Sequence, residues 1–300
     1  MMTSFDQEPR INSNRFLQDY YGSLESRIGY RFVLGGTRHF GYYDTDTYWP
    51  FPITRALRAM EERLFDSLRL ESGAKVLDAG CGVGHVAIYM ARKGLRVQGI
   101  DVVNRHIHQA QRNIKAQGLE DRVTVRKMDY HHLDGLTDES FDGVYTMETF
   151  VHATDPEGVA KEFFRVLKPG GSIVLHEYDH ADLTATPNIK VSMEEINLIA
   201  AMPALNGFGP GVLQRIMEEA GFEEVVINDL SINVIPMLRL FFVMAIIPYV
   251  FIRLFGLEAW FVNAVAAVES YRGRHLGRYV AVSARKPLSP MGSRGGNNIQ

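Results

Sequence analysis

The 300-residue chain has a single cysteine, Cys81, so it can form no internal disulfide, and a reducing, intracellular setting is the default expectation. Its net charge is only −3, which leaves no basic excess for binding nucleic acid. The first residues are polar and acidic and lack the basic-then-apolar pattern of a signal peptide, so a cytoplasmic location is expected. There are no internal repeats. The greasiest stretch, Phe241 to Ile252, is about 12 residues long between Arg239 and Arg253 and contains Pro248. That falls short of the roughly 20 residues needed to span a bilayer. What the chain does have is apolar material, 46% of its residues, enough for one large α/β domain or two small ones.

The segment from Lys75 to Asp101 organises the rest. Val76-Leu77 read as the end of a buried strand, Gly80, Gly82 and Gly84 as an exposed-backbone turn, and His85 to Arg92 as a helix. Glycine is required where a ligand approaches the main chain or φ is positive. A second strand, Arg96 to Ile100, ends at Asp101, where a carboxylate can hold the two hydroxyls of a ribose. The unit therefore predicts a nucleoside site. A dinucleotide site would usually show Gly-x-Gly-x-x-Gly and seat a pyrophosphate on the helix N-terminus. Here the spacing is Gly-x-Gly-x-Gly with Asp78 ahead of it, which would repel a pyrophosphate and suit the cationic end of an amino acid. Cys81 lies inside this turn, where its small size is sufficient reason for it.

That spacing with its leading acid resembles motif I of the class I S-adenosylmethionine-dependent methyltransferases. Further segments follow in the family's order: Val123 to Lys127 leading to Asp129, Phe141-Asp142 opening a fourth strand, and Leu167-Lys168-Pro169-Gly170-Gly171 before a fifth from Ser172 to His176. Within the family the chain is most similar to the sterol and isoprenoid C-methyltransferases and the tocopherol methyltransferases. Tyr20-Tyr21, His39-Phe40-Gly41-Tyr42-Tyr43, Met147-Glu148 to His152 and His176-Glu177-Tyr178 carry this likeness. The Tyr-Glu-Tyr-Gly-Trp-Gly signature of the sterol enzymes is absent, and Gly35-Gly36-Thr37-Arg38-His39-Phe40 stands in its neighbourhood.

The resemblance implies a Rossmann-like α/β fold: a seven-stranded, mostly parallel sheet in the order 3-2-1-4-5-7-6, an antiparallel seventh strand and helices on both faces. It implies S-adenosyl-L-methionine as cofactor, S-adenosyl-L-homocysteine as product and no metal. Cofactor contacts are expected from Tyr20, Tyr21, Asp78, Gly80, Gly82, Gly84, Asp101, Asp129, Tyr130 and Met147. The chemistry expected is methyl transfer to an alkene carbon of a hydrophobic isoprenoid or sterol-like molecule, through a carbocation. Such a reaction needs a negative partner and a base. His152 suits the base, and Glu148 or Glu177 the partner. A helix after strand four would set Glu148 and His152 on one face; alternatively Glu148 binds the cofactor's amino group or a helix end. His131, His132, His176 and His180 show no known zinc spacing. Two other readings stay open: O- or N-methylation with His152 deprotonating the nucleophile, and a regulator that binds cofactor without chemistry.

Residues 15–68 read as a helical and aromatic lid, with a helix from Arg15 to Ile28 and another from Ile53 to Leu68. Its aromatic residues would either pack the helices on the core or cover the sulfonium, since aromatic faces attract cations. Residues 69–285 form the methyltransferase domain, interrupted by a helical cap at about 186–208 and 236–275. From residue 286 a polar tail reads as disordered. The acceptor pocket is expected to use His39, Tyr42, Tyr43, Phe208, Phe242 and Ile246. Besides an acceptor, the greasy segment could bury itself in the core, against a second copy of the chain, or on a membrane surface between its two arginines.

Overall fold

The computed structural model describes Leu17, Tyr20, Tyr21 and residues 34–184 and 187–288. Most of the expected Arg15–Ile28 helix and nearly all of the polar tail lie outside these residues. Leu17, Tyr20 and Tyr21 are themselves helical. The chain runs α1 (Ile53–Leu68), β1 (Lys75–Ala79), α2 (His85–Arg92), β2 (Arg96–Asp101), α3 (Asn104–Ala116), β3 (Val123–Lys127) and β4 (Phe141–Met147). It continues through α4 (Pro156–Val166), β5 (Leu167–His180), α5 (Pro187–Ile199), α6 (Val212–Glu219), β6 (Glu223–Asp229), α7 (Ser231–Phe255), α8 (Val262–Arg272) and β7 (Gly277–Arg285).

The seven strands form one sheet in the order β3-β2-β1-β4-β5-β7-β6, as the family resemblance implied. β1 pairs in parallel with β2 and β4, and β7 runs antiparallel to β5 and β6. Because β1 and β4 are central, helices cover both faces and both strands are almost wholly apolar and buried. One face packs Leu77, Val144, Phe163 and Leu175; the other packs Val76, Tyr145, Met90 and Val174. The alternation of Val144 and Tyr145 is the two-residue pleat.

The Phe-Asp pair has a structural role. Asp142 accepts from the Lys75 amide at 2.8 Å and from Lys168 Nζ at 2.7 Å, tying together the starts of β1, β4 and β5. α4 begins on Asp155, whose side chain accepts from Gly158 N at 2.9 Å, with Pro156 opening the helix where its missing N–H costs nothing.

Two elements differ from expectation. The Leu167-to-Gly171 segment, expected ahead of the fifth strand, is the start of β5: Leu167 pairs with Phe141, and a bulge shifts the register before Gly143. β5 also continues past His176 to His180, because β7 supplies pairing partners as far as Gly277. The greasy segment belongs to a helix of 25 residues that carries Pro236 and Pro248 internally. By length and composition α7 could cross a membrane, with a mean hydropathy of 2.2 over its most apolar window, of which 33% is buried. Its buried residues Ala245, Tyr249 and Ile252 pack with Val265 and Val268 of α8 in a cluster separate from the two sheet faces.

Candidate functional site

The parallel strands end together at the sheet's C-terminal edge, where open α/β folds bind ligands. Ala79 pairs with Ile100 and Asp78 with Tyr145, so Asp101, Asp78 and Glu148 follow one another along the edge on β2, β1 and just beyond β4. A cavity of about 1090 Å³, including its open mouth, lies over this edge. Asp78, Asp101, Asp129, Glu148 and His152 all line it, under a lid that includes Leu17, Tyr21, Arg38 and His39.

The glycine turn makes room for it. Gly80 has φ 104°, and a Cβ there would sit 2.6 Å from Thr149 Oγ1. Gly82 has only open space where a Cβ would be, on the cavity side. Gly84 does not line the cavity; its missing Cβ lets α2 approach Ala110 of α3 at 3.2 Å.

Three acids at the strand ends differ in electrostatic state. Asp78 is buried and accepts from Tyr145 Oη at 3.0 Å; burial nonetheless pushes its carboxyl up to about 7. Asp101 is largely enclosed, but His106 at 3.3 Å and the amides of Val103 (2.7 Å) and Gly82 (3.0 Å) outweigh desolvation and hold it below the usual range. Asp129 accepts from the amide of His131 at 2.9 Å and from its ring Nδ1 at 2.6 Å. One end of the cavity thus carries a firm anion, and the other a carboxyl that a bound cation would ionise.

Glu148 and His152 are not on one helical face. Glu148 adopts φ 57°, and only a single 3-10 turn, Phe150–His152, follows before the chain extends again. Glu148 accepts from the Phe40 amide at 2.6 Å, from Tyr279 Oη at 2.9 Å and from Tyr178 Oη. His152 bonds the Ala201 carbonyl at 2.6 Å through Nδ1. A carbonyl can only accept, so the proton sits on Nδ1, and Nε2 accepts from Tyr21 Oη at 2.9 Å. Burial keeps the ring below the ordinary histidine value, so it is neutral near pH 7.

Other expected site residues lie elsewhere. Glu177 is fully buried below the cavity, where one oxygen accepts from the amides of Thr149 (2.7 Å) and Phe150 (2.6 Å); it anchors the loop, and burial pushes it up to about 8. Tyr42 stacks under Arg63, 3.7 Å from its ring centroid, and Tyr43 donates to the Pro50 carbonyl. Phe208 stacks on Phe150 in the core, because the loop at 203–208 folds under the sheet edge. Phe242 lies against Tyr271, and Ile246 joins the α7–α8 cluster. None of these residues lines the cavity. Tyr20 donates to Asn263 and is likewise outside it, whereas Tyr21, Tyr130, Met147 and His39 are part of its wall.

Arg38 and His106 are among the lining residues that the sequence did not point to. Arg38 Nη1 donates to His106 Nε2 at 2.8 Å, and its guanidinium lies 5.0 Å from the Tyr21 ring centroid. His106 then turns Nδ1 toward Asp101. Only the position of His106, one helical turn after Asp101, could have flagged it.

The methyltransferase-domain family pattern matches residues 77–175. An S-adenosyl-L-methionine-dependent Diels-Alderase of Talaromyces variabilis is 41% identical over 281 residues, covering 92% of this chain and 96% of the relative. A sterol 24-C-methyltransferase of Yarrowia lipolytica is 35% identical over 179 residues, covering 59% of this chain and 45% of the relative. Among solved structures, the 4+2 cyclase SpnF superposes with a TM-score of 0.73 at 23% identity, covering 94% of this chain and 98% of that one. The chain belongs to the class I S-adenosylmethionine-dependent methyltransferase family, related to the sterol and isoprenoid C-methyltransferases.

Proposed function

We propose that the chain binds S-adenosylmethionine along the sheet edge and cyclises a hydrophobic polyene by an intramolecular 4+2 cycloaddition, without consuming the cofactor. The observation that carries this reading is the end-to-end likeness to a Diels-Alderase, where the likeness to the sterol enzyme covers 59% of the chain. In this reading Asp101 takes the ribose hydroxyls, Asp78 the amino group and Asp129 the adenine amine. The residues fit: the backbone is open at Gly82, and Asp78 is a buried carboxyl awaiting a cation. When bound, the cofactor supplies a fixed positive charge beside the acceptor.

A 4+2 cycloaddition converts two π bonds into two σ bonds; no atom leaves and no proton moves. The chain therefore has to fold the polyene so that diene and alkene meet, an effect of proximity and orientation. Leu17, Tyr21 and His39 offer the lid side of the cavity for this task, with Arg38 beside them to donate to an alkene-activating carbonyl.

One observation favours a second reading, methyl transfer to an alkene carbon. Tyr21 and His152, joined through Tyr21 Oη and His152 Nε2, stand in the cavity wall that also carries Glu148. There the S–CH3 bond would break as a C–C bond formed. The resulting cation would face Glu148 and lose its proton to Tyr21 Oη as that hydroxyl passes its own to His152.

Product mass separates the two. Incubation with linear polyenes that carry a diene and a carbonyl-activated alkene should give a cyclic isomer of unchanged mass. A product heavier by one methylene unit, with one S-adenosylhomocysteine released per product, would overturn the cyclase reading in favour of methylation.

A further inference from the structure

Glu148 is held by three donors from three separate parts of the fold. The Phe40 amide comes from the loop before α1, Tyr178 from β5 and Tyr279 from β7. The two tyrosines are register partners across β5 and β7, with rings in edge contact at 5.5 Å. Their hydroxyls and the amide donate to both carboxylate oxygens, an arrangement that favours the anion over the acid. Burial opposes this and holds the group above the ordinary glutamate value, although His39 and the three donors act in the other direction. His39 lies alongside, giving its Nδ1 proton to the Phe40 carbonyl, with its Nε2 3.6 Å from Glu61, which Arg58 pairs at 2.5 Å. Glu177 is the other carboxyl near Glu148.

A half-buried carboxylate surrounded by donors and open to a cavity lacks only a cation on its open side. Glu148 follows the end of β4, the strand beside the one carrying Asp78, and is three residues beyond the partner of Asp78. A cofactor stretched between Asp101 and Asp78 carries its charge between its two ends. S-adenosylmethionine has a sulfonium there; S-adenosylhomocysteine has a neutral thioether.

We propose that the Tyr178–Glu148–Tyr279 cradle makes this site selective for the sulfonium form of the cofactor over its neutral thioether. Glu148 supplies the opposing charge, and the two tyrosines are positioning residues that aim it. The proposal rests on the cofactor placement given under Proposed function and not on the reaction that follows. It gives a reason for residues that line no cavity themselves to meet at one carboxylate.

Isothermal calorimetry with S-adenosylmethionine and S-adenosylhomocysteine, each without acceptor, tests it. In Glu148→Gln the ratio of the two affinities should fall by roughly tenfold to a hundredfold, the scale of a charge pair in a partly screened site. Binding of S-adenosylhomocysteine should change little, which also reports that the variant is folded. Tyr178→Phe and Tyr279→Phe should lower the same ratio by a smaller factor. A ratio equal to wild type in Glu148→Gln, including one kept because both affinities fall together, overturns the proposal. Should that variant bind neither ligand, the tyrosine variants decide, and an unchanged ratio in both overturns it. The product-mass experiment fails or succeeds independently, since no acceptor is present here.

Discussion

At the C-terminal edge of the sheet, carboxylates are enclosed and held by several donors; on the α7–α8 hairpin, apolar groups are exposed and few are held. Asp101 has two amides and an imidazole, Glu148 two phenols and an amide, and Glu177 two amides. On the hairpin, Val243, Ile247, Phe251 and Leu254 face solvent, and Trp260 is 76% exposed. Ala245, Tyr249 and Ile252 turn inward against α8, with Phe242 and Ile246 partly buried beside them. Buried carboxyls without partners would be costly, so the edge tolerates few geometries. Apolar side chains left exposed cost little in stability, so the hairpin tolerates many. The difference teaches that the edge should be sensitive to single atoms and the hairpin's outer face should not.

Gly80→Val should break the edge most severely. Its Cβ would meet Thr149 at 2.6 Å from a backbone at φ 104°, and strain with overpacking should cost about 2–5 kcal/mol. Thermal unfolding would show this as a large drop in melting temperature, and a variant as stable as wild type would mean the turn is looser than its geometry indicates. Asp101→Ala should weaken S-adenosylmethionine by about 1.5–3 kcal/mol, the scale of hydrogen bonds to a charged group. Calorimetry showing unchanged affinity in a folded variant would remove the ribose assignment.

The hairpin gives the contrast within a single helix. Phe242→Ser loses the packing on Tyr271 and should cost about 1–3 kcal/mol. Phe251→Ser, on the exposed side, should stay within about 0.5 kcal/mol. Because Phe242 does not line the cavity, neither substitution should shift the acceptor Michaelis constant. A rise in that constant for Phe242→Ser at unchanged stability would restore the hairpin as a substrate wall.

A further expected effect is a slope with pH. Asp78 is raised from 3.8 to about 7 and Glu177 from 4.5 to about 8 in the folded protein. Between the unfolded and folded values these two groups bind more protons in the native state than in the unfolded chain, so their contribution to stability falls as pH rises from about 4 to 8. Asp78→Asn should flatten part of that slope in cofactor-free protein while weakening cofactor binding. Denaturant titrations at several pH values would test this, and an unaltered slope would contradict the protonation state assigned to Asp78.

Much of the fold was legible because sheet edges are punctuated. Gly80, Gly82 and Gly84 with Asp78 and Asp101 mark two strand ends and the helix between them, and the family resemblance implied the strand order. The aromatic and apolar residues were harder to place. Phe208, Tyr43 and Phe242 have the same composition as pocket residues, yet each packs on a neighbour that only the tertiary fold supplies. Glu148 and His152 share the spacing of a helical face, but β5 and Glu177 pull the backbone into a left-handed residue and a 3-10 turn. The tyrosine partners of Glu148 come from β5 and β7, about 100 residues apart in sequence, a pairing that no local pattern encodes. Arg38 and His106 meet for the same reason.

In the proposed reaction the cofactor is bound but not spent, and a count of methyl groups tests this directly. The purified protein, given methyl-labelled S-adenosylmethionine and a cyclisable polyene, would be followed through many turnovers. The account predicts that product accumulates unlabelled while the label stays in S-adenosylmethionine. Label appearing in the product in proportion to turnover, with matching S-adenosylhomocysteine, would contradict it.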